Sequence, residues 1–124
     1  MGVFSVQIEI GDPGARRFER VEAVVDTGAS YAQLPASTLR RLGVEPHTRR
    51  TFVMAGGRRE ESDVGQAWVR LNGTSQMTVV VFAEEGSQPL IGAITLEEFG
   101  LGIDPVAQKL IPVPGYRLIM IETS

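Results

Sequence analysis

Val24-Val25-Asp26-Thr27-Gly28-Ala29-Ser30 joins two β-branched apolar residues to an acid, and then to a run of small or hydroxyl-bearing residues. The valines predict a buried strand and the residues behind the acid predict a tight turn, so the carboxylate leaves a hydrophobic strand at its very end. An acid in that place is either hydrogen-bonded by its own turn or put to chemical use.

Working outward, residues 3–10 (VFSVQIEI) alternate Phe4, Val6, Ile8 and Ile10 with polar partners, the period of a half-buried strand. Gly11-Asp12-Pro13-Gly14 is turn chemistry, and the alternation resumes through Val21, Ala23 and Val25, so a hairpin delivers the chain to Asp26. Downstream, AQLP is a short strand, and residues 36–43 (ASTLRRLG) put Leu39 and Leu42 on one helical face with Gly43 as the stop. Residues 49–55 (RRTFVMA), the Gly56-Gly57 pair and a long polar arm ending in QAWVRL predict a second hairpin. Asn72-Gly73 is a strong hairpin signal that returns the chain into SQMTVVVFA. A short apolar LIGA segment precedes ITLEEFG, where Thr95 and Glu98 have the spacing of a capping box and predict a second short helix. GLGID, the Asp104-Pro105 turn, KLIPV and residues 116–122 (YRLIMIE) add two or three strands. Many short strands with one or two short helices predict an all-β protein, a small closed β-barrel. Trp68 is expected in its core.

The chain has 124 residues, 43% of them hydrophobic and 22% charged, with no linker-like stretch, so residues 1–124 are expected to form a single domain. A net charge of −3 and only short Arg pairs (Arg16-Arg17, Arg40-Arg41, Arg49-Arg50, Arg58-Arg59) argue against nucleic acid as a partner. Those pairs are expected on solvated faces. No apolar run reaches membrane-spanning length, so no membrane partner is expected. Met1-Gly2-Val3-Phe4 has no basic stretch leading into an apolar block, which makes a cytoplasmic location the expectation.

The residue inventory narrows the chemistry. There is no cysteine and one histidine, His47, in a Glu-Pro-His-Thr loop, so neither a metal site nor a cofactor is expected and a histidine-based hydrolase is disfavoured. No glycine-rich phosphate cradle occurs. Carboxylate chemistry remains, and of the four aspartates Asp12 and Asp104 precede prolines in turns while Asp63 lies in a charged arm. Asp26 is the candidate catalytic residue.

Asp26-Thr27-Gly28-Ala29-Ser30 resembles the active-site turn of the retropepsins, the single-domain aspartic proteases of retroviral type. About sixty residues on, Pro89-Leu90-Ile91-Gly92 before a helix resembles that family's apolar-apolar-glycine-helix segment, and the hairpin tip Met54-Ala55-Gly56-Gly57-Arg58 sits where its flap belongs. The resemblance runs from about residue 3 to residue 113 in matching order.

The resemblance implies a retropepsin-type barrel with a flap, an aspartic endopeptidase activity on peptide or unfolded-protein substrates, and a homodimer. Two neighbouring carboxylates cannot both ionise, so one holds a proton that the other lacks, and the pair serves as acid and base together. With one such turn per chain, the second aspartate has to come from a second copy on a two-fold axis. By the same resemblance Thr27 bonds across the axis, Gly28 offers its N–H to the carboxylate, Ala29 and Ser30 extend the cleft floor, and Met54, Ala55, Gly56, Gly57, Ile91 and Gly92 contact substrate. Leu34, Val53, Ile91 and Ile94 are expected as pocket walls. The family often carries an acid at the position of Ser30, paired with an arginine at that of Ala93; here both are missing together. The tail 116–122, with residues 2–6, is expected at the dimer interface. Two alternatives stay open: a catalytically silent module of the same fold that binds peptides or dimerises, and a monomeric barrel in which Asp26 only caps its own turn.

Overall fold

In the computed structural model, which describes residues 4–117, the chain runs β1 (Phe4–Gly11), β2 (Phe18–Val25), β3 (Ala32–Pro35), α1 (Ala36–Arg41), β4 (Pro46–Val53), β5 (Arg59–Leu71), β6 (Thr74–Ala83), β7 (Leu90–Ile91), α2 (Ala93–Glu98), β8 (Leu101–Asp104) and β9 (Lys109–Pro112). β1 and β2 pair antiparallel along their whole length, from Phe4↔Val25 to Gly11↔Phe18. The turn between them is tied by the Asp12 carboxylate, which accepts the backbone N–H groups of Arg16 (2.7 Å) and Arg17 (2.8 Å). These bonds, the one from Arg17 foremost, hold the Asp12 pKa below the ordinary carboxylate value.

The strands close on themselves. β2 pairs with β7, β7 with β3, β3 with β6, β6 with β5, and β5 returns to β1 through Glu9↔Arg70, Ile10↔Val69 and Gly11↔Trp68. The ring closes through short contacts, three residues of β1 meeting β5 and the two-residue β7 bridging β2 to β3. Alternate residues point inward, and Ile8, Ile10, Val25, Leu34, Val69, Val80 and Ile91 are all at or below 1% exposed. β4 continues beyond the ring by pairing with the first half of β5, while β8 and β9 form a separate ribbon whose Leu101 closes the core beside α2.

Local chemistry accounts for the turns and helix ends. Asn72 (φ 54°) and Gly73 (φ 84°) take the left-handed conformations of the tight turn that their pairing predicted, joining Leu71 to Thr74. Leu39 and Leu42 of the α1 turn are buried as expected, and Gly43 at φ 84° ends it. α1 opens at Pro35, whose ring cannot cap it. Glu85, from the segment after β6, does so instead, accepting the Ser37 hydroxyl at 2.6 Å and the Ser37 N–H at 2.9 Å. The Ser37 hydroxyl, followed by the N–H, holds the Glu85 pKa below its ordinary value.

Several sequence expectations need correction. α2 has Gly92 at its N-cap rather than a capping box: Thr95 sits inside the helix, 1% exposed with its hydroxyl unpaired, and Glu98 accepts the Thr78 hydroxyl. The helix can start early because the N–H groups of Ala93 and Ile94 find carbonyls elsewhere in the chain. Trp68 is half-buried on the outer side of β5, donating its indole N–H to the Pro13 carbonyl at 3.2 Å, because inward positions of this strand are taken by Ala67, Val69 and Leu71. His47 lies not in a loop but at an irregularity in β4, exposed. The Arg pairs do lie on exposed faces, where Arg40 and Arg49 meet Asp63, and Arg41 meets Glu19. Residues 113–117 form no strand, and the tail expectation otherwise falls on residues 118–122 and 2–3, outside the described residues, and on residues 4–6 of β1. No helix among the described residues is long and apolar enough to cross a membrane.

Candidate active site

β2 carries Val25 into the core and releases Asp26 at the barrel's rim. The strand end is held by β7, with Val24↔Leu90 and Val25↔Ile91 in parallel register and the Asp26 N–H on the Ile91 carbonyl at 2.9 Å. Beyond it the chain turns sharply, the Ala29 N–H reaching the Asp26 carbonyl at 3.1 Å. The half-buried Asp26 carboxylate accepts the Gly28 N–H at 2.9 Å, so one oxygen is fixed by the backbone while the side chain faces an open cleft. A Cβ on Gly28 would stand 3.1 Å from that oxygen, tighter than ordinary contact.

The loop is then clamped from behind. Ala29 and Ser30 present their carbonyls to the N–H groups of Ala93 (2.8 Å) and Ile94 (2.9 Å) at the start of α2. Gly92 lies so close that a Cβ there would fall 2.5 Å from the Ser30 carbonyl carbon and 2.7 Å from the Ala29 oxygen, and backbone cannot move aside cheaply. Where the resemblance led one to look for a charged pair between positions 30 and 93, this chain has a backbone-to-backbone clamp. Such bonds carry no charge to desolvate.

Opposite stands the β4–β5 hairpin, paired without interruption from Thr48↔Val64 to Val53↔Arg59. Its tip is closed by Met54 N–H to the Arg58 carbonyl (2.6 Å) and Gly57 N–H to the Met54 carbonyl (2.9 Å). Gly56 and Gly57 have φ of 92° and 89°, with nothing within 4 Å of where a Cβ would be. They are needed for backbone conformation rather than for room.

Between hairpin and barrel lies a cleft of about 910 Å³. It brings together Asp26, Gly28, Ala29 and Ser30 from the loop with Met54 and Ala55 from the hairpin. Gly56 and Gly57 are exposed at the tip and do not line it. Ile91 and Gly92 do not line it either: Ile91 is fully buried beneath the floor, and Gly92 is packed against the loop's backbone. Of the expected walls, Val53 lines the cleft, Leu34 belongs to the core and Ile94 is exposed elsewhere. Thr27 borders a separate hollow of about 620 Å³ with Leu96, Leu101 and Tyr116.

Sequence reasoning missed the cleft's aromatic side. Tyr31 directly follows Ser30, and its ring meets Phe52 edge-on with centroids 6.3 Å apart and planes at 87°. Arg50 lies over both rings and donates to the Tyr31 hydroxyl. The signal was available, since Arg50 and Phe52 share one face of β4 by strand alternation. Among the described residues no cluster of three or more His, Asp or Glu gathers to hold a metal.

Comparison with known proteins places this geometry. The family described as aspartyl protease matches residues 6–94, a span that includes the loop, the hairpin and the Gly92 segment. Among solved structures, the simian foamy virus (mac) protease superposes with a TM-score of 0.55 at 17% identity, covering 77% of this chain and 94% of its own. The EIAV protease, solved with the inhibitor HBY-793, gives 0.55 at 18% identity, covering 80% and 89% respectively. No curated protein matches by sequence.

Proposed function

The chain belongs to the aspartyl protease family, with the fold of the retroviral enzymes, and from that premise we propose that it acts as a homodimeric endopeptidase. The observation that carries the reading is the Asp26 carboxylate, anchored through one oxygen to the Gly28 N–H and open to a roofed cleft large enough for an extended peptide. A chain with one such loop supplies half of an acid–base pair, and a second copy supplies the other half.

In the proposed reaction one Asp26 is ionised and its counterpart protonated. The ionised carboxylate takes a proton from water as the water oxygen attacks the amide carbon, and the protonated one gives its proton to the carbonyl oxygen. As the tetrahedral gem-diol collapses, one of its hydroxyls returns a proton to the ionised carboxylate, the C–N bond breaks, and the leaving nitrogen takes the proton held by the other carboxylate. Acid and amine products depart, and the pair again holds one proton. The Gly28 N–H keeps the carboxylate's rotamer, so that the attacking water meets a preset geometry. The hairpin roof, closing over bound peptide, supplies main-chain pairing and excludes bulk water.

Asp26→Asn should lower cleavage of an unfolded polypeptide by about a thousandfold or more, since the pair acts as a unit. Sedimentation at micromolar concentration should show the dimer retained. Undiminished cleavage by this variant defeats the proposal. The missing charged pair at Ser30 and Ala93 favours the second reading, a silent peptide-binding module, but the backbone clamp holds the loop at those positions without it.

A further inference from the structure

We propose that Arg50 makes the cleft select peptides carrying an acidic side chain, its guanidinium receiving a substrate Glu or Asp carboxylate. The proposal rests on the cleft being a peptide site, as argued above, and adds a preference for charge.

Arg50 is one of two arginines lining the cleft, and they differ in what already occupies them. Arg58 pairs with Glu60 at 3.4 Å. Arg50 has no carboxylate within 4 Å among the described residues, although Glu60 lies only two register positions away, opposite Phe52. Its chain neighbour Arg49 is turned to the other face by the pleat and binds Asp63 at 2.7 Å.

The guanidinium is also held in place. It lies 5.3 Å from the Tyr31 ring centroid and 5.7 Å from that of Phe52, and donates to the Tyr31 hydroxyl at 2.5 Å. A guanidinium set against aromatic rings and tied by a hydrogen bond is partly ordered before any ligand arrives, and the remaining N–H groups of this exposed side chain stay presented as a fork. That is the arrangement a carboxylate binds in bidentate fashion. Arg50 stands on β4 of the hairpin, and because Tyr31 follows the clamped loop directly, their hydrogen bond ties the fork to the Asp26 side of the cleft. The other charges of the lining leave Arg50 as the cation without a carboxylate of its own: Asp26 and Glu84 are acidic, and Glu60 and Arg58 pair with each other.

The test uses two decapeptide libraries of randomised apolar residues, one with a single Glu moved through each position and the other with Gln in its place. The wild-type protein should cleave the Glu library, at the favoured position, with kcat/KM about fivefold above its Gln counterpart, a size expected of a half-exposed charged pair. Arg50→Met should bring that ratio to about one, and Arg50→Lys should keep part of it. The same libraries are passed over immobilised Asp26→Asn protein with and without Arg50→Met, and recovery is counted by mass spectrometry. Binding that prefers Glu only when Arg50 is present supports the proposal even if nothing is cleaved, in which case the protease reading alone falls. A Glu to Gln ratio near one in the Arg50-containing proteins overturns it, as does an unchanged ratio after Arg50→Met.

Discussion

The floor of the cleft and its roof both depend on glycine, for opposite reasons. At Gly92 a side chain has nowhere to go, since the carbonyl groups of Ala29 and Ser30 fill the space it would need. At Gly56 and Gly57 a side chain would meet nothing, and only the left-handed backbone excludes other residues. The floor is thus rigid by contact and the roof is shaped by torsion, with solvent on its outer side. A catalytic carboxylate must be placed to a fraction of an ångström, whereas the element that admits a peptide must give way.

The largest effect should come from Gly92→Ala. The added methyl forces the loop away from α2, breaking two backbone hydrogen bonds and displacing Asp26; we expect a loss of about 3 kcal/mol or more in urea unfolding, and activity with it. Gly57→Ala should cost only about 1 kcal/mol, the strain of a left-handed alanine, with its main consequence in kcat/KM as tip movement changes. If the two substitutions destabilise equally, the distinction between floor and roof is wrong.

The smallest effect sharpens the comparison from outside the cleft. Glu85 caps α1 through Ser37, and its pKa is lowered in the folded chain from an ordinary 4.5. A lowered folded-state pKa means that the stabilisation is present above pH 4.5 and disappears as pH falls through the folded value. Glu85→Ala should therefore lower Tm at pH 7, and its melting curve should converge on that of the parent protein as the buffer is taken below 4.5. A gap that persists unchanged in acid would show that the carboxylate's charge is not what caps the helix.

Much of this was legible along the chain. Alternation marked β1 and β2, Asn72-Gly73 marked the turn into β6, and the residues around Asp26 marked the loop, because each signal is local. What escaped depended on distant partners. Thr95 looked like a cap only so long as the Ala29 and Ser30 carbonyls, which satisfy the true helix start, were out of view. Trp68 has the hydrophobicity of a core residue, yet strand parity decides its side, and that parity is set by Ala67 and Val69 facing inward. Ile91 and Gly92, which the resemblance assigns to substrate contact, lie beneath the loop and against its backbone. Arg50 and Phe52 share a face of β4 by alternation, but Tyr31 comes from a separate segment, and no spacing rule joins it to them.

The parallel pairing of β2 with β7 also bears on how the protein is born. Asp26 leaves the ribosome well before Leu90, Ile91 and the Gly92 segment that hold it. Until those later residues have emerged, the nascent polypeptide carries an acid without a seat, so the loop that the proposed hydrolysis requires is not yet built.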